Sequence, residues 1–227
     1  MSIETSGAAC SAALSRGGQV AGSVAIDDSN RQSSMLVPAI QSLFKQCSVQ
    51  ISECDAVAVS SGPGSYTGLR VGVSTAKGLC YGLGKPLIAV PTLEVLLAEA
   101  MSSGQCAGAD FYVPMLDARR MEVYQAVYDN GGKCVEEVSA KVLDEQSYSG
   151  LLAAGKVVFI GTGARKYADA FPHPNGIYVP AVPKAAFMAS AAQAAFDAGR
   201  FEDVAYFEPF YLKEFVAIVK KNPIIIS

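Results

Sequence analysis

The stretch Ser61-Gly62-Pro63-Gly64-Ser65-Tyr66-Thr67-Gly68-Leu69-Arg70 comes nearest, in residue type and spacing, to anion-binding chemistry. Glycines where a strand runs into a helix let backbone amides approach a phosphate. A Walker loop needs Lys and then Ser or Thr straight after its second glycine, so that an ammonium meets phosphate and a hydroxyl meets magnesium. Here Leu69 and Arg70 follow Gly68, and that chemistry is excluded. A dinucleotide fingerprint needs G-x-G-x-x-G with free amides. The spacing here is Gly62-x-Gly64-x-x-x-Gly68, and Pro63 removes a donor. Two readings remain: a bare anion site at a helix N-terminus helped by Arg70, or a tight turn whose glycines supply positive φ. The residues alone favour the turn.

Magnesium-dependent phosphoryl transfer would need carboxylates at bends. Glu4 and Asp117 each sit at one, and Gly161-Thr162-Gly163 is the candidate glycine turn for a second phosphate contact. Glu4 and Asp117 serve equally well as bend residues paired with Arg119 or Arg120. His173, the single histidine, lies between Pro172 and Pro174 and reads as a loop residue, so histidine-dependent metal or nucleophilic hydrolysis finds no material here. The six cysteines form no C-x-x-C pair. With no export signal or membrane span visible, they are expected to be reduced thiols of a cytoplasmic protein, and no metal is expected. A net charge of −3 gives no basic footprint, so an RNA partner's phosphates are expected to fall to another protein.

The elements that must position these residues alternate between strand and helix patterns. Strands are predicted at residues 3–5, 10–14 and 19–26, with a polar loop at 27–30. A helix follows from Ser33 or Ser34 to Cys47, with Met35, Leu36, Ile40, Leu43 and Phe44 at helical spacing. Buried strands at 55–60 and 85–90 flank a helix from Thr67 to Leu83, and Thr92 is expected to cap another through Met101. Beyond a small-residue stretch at 102–108 the opening pattern recurs: strand at 111–116, bend at Asp117-Ala118-Arg119-Arg120, returning strand at 122–128. A strand at 157–161 and a helix at 185–198 complete the pattern. Two related α/β halves are predicted, divided as 1–103 and 104–227, with the last residues free to pack back on the first. In the helix after the glycine segment, about 100° per residue puts Leu69, Val73, Ala76 and Cys80 on one face. Gly72 borders that face and Gly78 and Gly82 lie opposite. Each interior glycine costs about 1 kcal/mol relative to alanine. A helix small or apolar on both sides is packed on both, either within the monomer or against a second subunit. Apolar residues at 51% and charged residues at 17% agree with an extra surface to hide.

The glycine segment, continuing through Val71-Gly72 and Ala76-Lys77-Gly78-Leu79, closely resembles the signature of the TsaB (YeaZ) family. Glu4-Thr5-Ser6 with Cys10-Ser11, Asp117-Ala118-Arg119-Arg120 with Glu122-Val123-Tyr124, and Pro209-Phe210-Tyr211-Leu212-Lys213 match in order and approximate spacing. The resemblance implies the two-lobed actin-like ATPase (ASKHA) fold, each lobe a mixed sheet with flanking helices. It implies a non-catalytic scaffold: the dimerisation partner of TsaD, joined by the ATPase TsaE, in threonylcarbamoylation of the adenosine next to the tRNA anticodon. It implies a homodimer when TsaD is absent, and tRNA contact only through the complex. The pairing surface would come from the first two helices, here Met35, Leu36, Ile40, Leu43 and Phe44 with Leu69, Arg70, Gly72, Val73, Ala76, Leu79 and Cys80. No cofactor is required; weak ATP or ADP binding would fall to Glu4, Thr5, Ser6, Asp117, Gly161, Thr162 and Gly163. An active ATPase or kinase of the same fold is the alternative.

Overall fold

The computed structural model describes residues 1–26 and 32–213. The polar loop expected at 27–30, the Ser33 side chain and the tail after Lys213 lie outside the described residues. In chain order the elements are β1 (Ser2–Glu4), β2 (Cys10–Arg16), β3 (Gln19–Ile26), α1 (Gln32–Gln46), β4 (Val57–Gly62), α2 (Tyr66–Leu83), β5 (Leu87–Pro91) and α3 (Thr92–Ser102). The second half has β6 (Phe111–Asp117), β7 (Glu122–Asp129), β8 (Cys134–Val142), α4 (Ser149–Ala154), β9 (Val157–Ile160), α5 (Thr162–Ala170), β10 (Gly176–Val179) and α6 (Ala189–Asp197).

Each half makes one mixed sheet of five strands, in the orders β3-β2-β1-β4-β5 and β8-β7-β6-β9-β10. Strand directions repeat as well. β1, β2 and β3 form an antiparallel meander, while β4 and β5 add in parallel on the other side of β1. β6, β7 and β8 repeat the meander, and β9 and β10 the parallel pair. The predicted duplication is therefore present at the level of topology.

Alternation along the strands decides which helix covers which face. Ile3, Ala12, Val57 and Val59 face α1 and α2, meeting Leu36, Ile40, Leu43, Phe44, Val73, Ala76 and Cys80. The residues between them, Ala13 and Ala58, join Ile88 and Val90 and face Met188, Ala192 and Ala195 of the 3-10 turn Ala185–Met188 and α6. In the second sheet, Val113, Met115 and Phe159 pack on Leu152, Ala164 and Tyr167 of α4 and α5 and their neighbourhood. Tyr112, Leu116, Val158 and Ile160 of its other face pack on Leu93, Leu96, Leu97 and Ala100 of α3. The sheets thus fall on either side of the expected division at residue 103, but the helices do not respect it. α3 covers the second sheet, and α6 covers the first.

Local details differ from expectation for identifiable reasons. Ser65, rather than Thr67, caps α2: its Oγ accepts from the Gly68 amide at 3.2 Å. α3 begins at Thr92 itself, behind Pro91, and no side chain caps it. The helix expected at 185–198 opens as a 3-10 turn before α6. β8, α4, α5 and β10 complete the second half where no element was predicted. No helix of the described residues is long and apolar enough to cross a membrane, and the six cysteines are unpaired.

Candidate functional site

In the first lobe the glycine segment is filled by the chain itself. The Ser65 amide donates to the Ser6 carbonyl at 2.7 Å. The Thr5 hydroxyl donates to the Gly68 carbonyl at 2.7 Å. A Cβ on Gly64 would stand 2.6 Å from Ser6 Cβ, one on Gly68 2.0 Å from the Thr5 carbonyl oxygen, and one on Gly72 2.1 Å from Thr5 Oγ1. These glycines let α2 lie directly on the end of β1. At Gly72 the side chain that approaches is Thr5.

Glu4 ends β1 with no exposed surface. Its Oε1 accepts from the Ser6 amide at 2.5 Å, while Oε2 has no hydrogen-bond partner among the described residues. Burial pushes its pKa above the ordinary carboxylate range, against the lowering effect of hydrogen bonds from Ser6, Ser60 and Thr5. Buried and biased towards the neutral form, Glu4 holds the β1–β2 bend through the Ser6 amide.

The second lobe gathers Asp117, Gly161, Thr162 and Gly163 at the ends of β6 and β9. The Asp117 amide donates to Thr162 Oγ1 at 3.0 Å, and the Asp117 carboxylate is engaged by Lys166 at 2.6 Å and by the Arg119 amide at 2.6 Å. Lys166 Nζ also donates to the Glu122 carbonyl at 3.0 Å. Gly161, at φ 121°, backs onto the Met115 carbonyl, where a Cβ would come within 2.2 Å. Glu4, Thr5 and Ser6 thus form one group and Asp117, Gly161, Thr162 and Gly163 another, one in each lobe. Lys166 escaped the sequence reading, although its place four residues after Thr162 puts both on one face of α5.

A C-terminal strap joins the two regions. Lys77 Nζ donates to the carbonyls of Ala205 and Phe207, both at 3.0 Å. The Phe210 amide donates to the Ser61 carbonyl at 2.7 Å. Tyr211 lies against Tyr66 with ring centroids 4.7 Å apart, and the Arg70 guanidinium stands 4.5 Å from the Tyr66 ring. Lys213 then pairs with Glu122 at the start of β7.

The residues expected to form a pairing surface are mostly spent inside the monomer. Leu36, Ile40, Leu43, Phe44, Leu69, Gly72, Val73, Ala76 and Cys80 are buried. Met35 and Leu79 are half-buried, and Arg70 is exposed. The apolar surface of the buried ones covers the chain's own sheet. The outward stripe of α2 is instead Thr67, Arg70, Ser74, Gly78, Tyr81 and Gly82, beside Val37, Gln41 and Lys45 of α1. Tyr81 is 87% exposed, and among the described residues a Cβ on Gly78 or Gly82 would meet nothing within 4 Å.

Two lobes of identical strand order and direction, each with a carboxylate at its first hairpin, define a protein of the actin-like ATPase fold. The family model described as TsaD, tRNA N6-adenosine threonylcarbamoyltransferase, matches residues 22–220. The Escherichia coli K12 protein named tRNA threonylcarbamoyladenosine biosynthesis protein TsaB is 30% identical over 225 residues, covering 96% of this chain and 95% of its own. The Haemophilus influenzae protein of the same name is 28% identical over 226 residues, with 94% and 92% covered. The solved structure of YeaZ from Pseudomonas aeruginosa superposes with a TM-score of 0.75 at 27% identity, over 93% of this chain and 98% of that one. The chain belongs to this family, in its TsaB (YeaZ) branch.

Proposed function

We propose that the chain serves tRNA threonylcarbamoyladenosine biosynthesis as a non-catalytic pairing subunit. It joins a TsaD-type transferase through the outer stripes of α1 and α2, and a TsaE-type ATPase is recruited to that pair. The observation that carries the reading is the bare outer face of α2. Gly78 and Gly82 each weaken the helix, and a Cβ on either would meet nothing within 4 Å among the described residues, beside an almost fully exposed Tyr81. Such a face suits close approach by another helix. Without its partner the chain is expected to self-associate through the same stripe. The filled glycine segment and the buried Glu4 support a subunit that needs no cofactor of its own.

The test is co-purification with the TsaD-type partner, with tRNA modification measured for each alone and for both together. Modification is expected only from the pair. A Gly78→Arg chain should stay folded yet neither pair nor self-associate; robust modification by this chain alone overturns the reading. The group of exposed Asp117 and Thr162 with half-buried Lys166 favours a second reading, an ATPase. ATP binding is expected to be weak and hydrolysis near background. Turnover on the order of one per second or faster, lost in Asp117→Asn, would promote it.

A further inference from the structure

The bend between β6 and β7 is built against its own backbone preferences. Arg119 and Arg120 both have positive φ, 70° and 49°, and are two of four non-glycine residues with positive φ among the described residues. Glycine or asparagine takes such positions at little cost, and a long side chain does not. Inside the protein only backbone groups answer it: the Arg119 amide donates to the Asp117 carboxylate at 2.6 Å and the Glu122 amide to the Arg119 carbonyl at 3.2 Å. Both arginines are exposed, and neither guanidinium has a hydrogen-bond or ion-pair partner among the described residues. The acids beside them are already neutralised, Asp117 by Lys166 and Glu122 by Lys213. The bend therefore presents two uncompensated positive charges on a chain whose net charge is −3.

We infer that Arg119 and Arg120 grip neighbouring phosphates of an RNA backbone, so that this chain supplies a phosphate contact of its own to the complex; the inference rests on the proposed role in tRNA modification. The guanidinium is a rigid fork that matches phosphate, and such contacts position the nucleic acid without reading its sequence. Two forks at the tip of an exposed bend do not enclose a small anion, but they suit consecutive charges of a polymer. A protein partner is the weaker occupant. The proposed pairing face is on α1 and α2 of the first lobe, whereas this bend belongs to the second.

The test uses the chain in complex with its TsaD-type partner and the cognate tRNA, with binding measured over a series of salt concentrations. The double variant Arg119→Asn/Arg120→Gly gives the bend the residues it prefers. It should pair normally and melt about 2–4 °C higher, as expected for relief of backbone strain in a chain of this size. It should bind tRNA on the order of tenfold more weakly at 0.1 M salt, with the slope of log K against log salt shallower by about 1.5–2. The Arg119→Lys/Arg120→Lys variant keeps the charges and should keep the wild-type slope. Unchanged affinity and slope in the Asn/Gly variant overturn the inference. Lost pairing overturns it too, by assigning the arginines to a protein contact, and so does a fall in melting temperature. Failure of the wild-type complex to modify tRNA is read separately and overturns the role on which the inference rests.

Discussion

Glu4 shows how a single side chain can carry the marks of chemistry and do structural work. It is an acidic residue at a hairpin, but its burial is complete and its one strong bond is to the Ser6 amide. A carboxyl whose pKa is raised by burial binds its proton more tightly in the folded than in the unfolded chain. Its contribution to stability is therefore fully present below the unfolded value of 4.5, and is lost as pH rises through the folded value. Glu4→Gln keeps an acceptor for Ser6 and removes the titration. Relative to wild type, the variant should gain stability as pH climbs above about 4.5. The advantage should vanish at lower pH. Urea unfolding of both proteins across the pH range checks this, and a gain that grows on acidification would mean that Glu4 is held ionised.

α2 has two faces, and a single kind of substitution separates them. Gly68→Ala drives a methyl group into the Thr5 carbonyl, which is backbone and cannot rotate away. Overpacking of this sort should cost about 3 kcal/mol. Gly78→Ala places the same methyl in open space and should gain about 1 kcal/mol from helix propensity. Denaturation midpoints of the two variants should move in opposite directions; a loss at Gly78 would show that this face is packed within the monomer after all. The sequence showed that α2 is apolar or small all round, but not which glycine meets what. A helical projection puts Gly72 at the edge of the apolar face and Gly78 and Gly82 opposite, but it cannot show that Thr5, distant in the chain, is folded onto Gly72. The same limit hid four elements. β8 lies at a sheet edge with Val135 and Val142 exposed, so its alternation follows no buried face. α5 is short and interrupted by Arg165 and Lys166, and β10 is a half-buried run of four residues behind Pro174. Long, buried or strongly periodic elements were legible; short edge elements were not. At the site, the residues of each group could be named, whereas the cation that answers Asp117 and the strap that answers Tyr66 depend on contacts far apart in sequence.

Across the whole molecule the two lobes exchange helices, and this bears on how the protein folds. A chain divided at residue 103 looks like two modules, since every strand of the first sheet precedes the cut. Yet Ala13, Ala58, Ile88 and Val90 on the inner face of that sheet are covered by Met188, Ala192 and Ala195, which arrive after the second sheet is complete. In return, Leu93, Leu96, Leu97 and Ala100 of α3, encoded before the cut, cover the second sheet. The strap tightens the exchange through the Glu202 amide bond to the Leu87 carbonyl and the Lys77 bonds to Ala205 and Phe207. A fragment of residues 1–103 would expose one face of its sheet and the apolar stripe of α3 together. Leaving buried apolar area uncovered forfeits about 25 cal/mol per Å². Net stability of a domain is about 5–15 kcal/mol, so a few hundred Å² is enough to consume much of it. The fragment is therefore expected to be aggregated or unfolded, and the complete chain to unfold in one transition. Circular dichroism and tryptophan-independent calorimetry of the two proteins test this. A soluble 1–103 fragment that melts cooperatively would show that the first sheet needs only α1 and α2, and that the exchanged helices are late additions to a self-sufficient lobe.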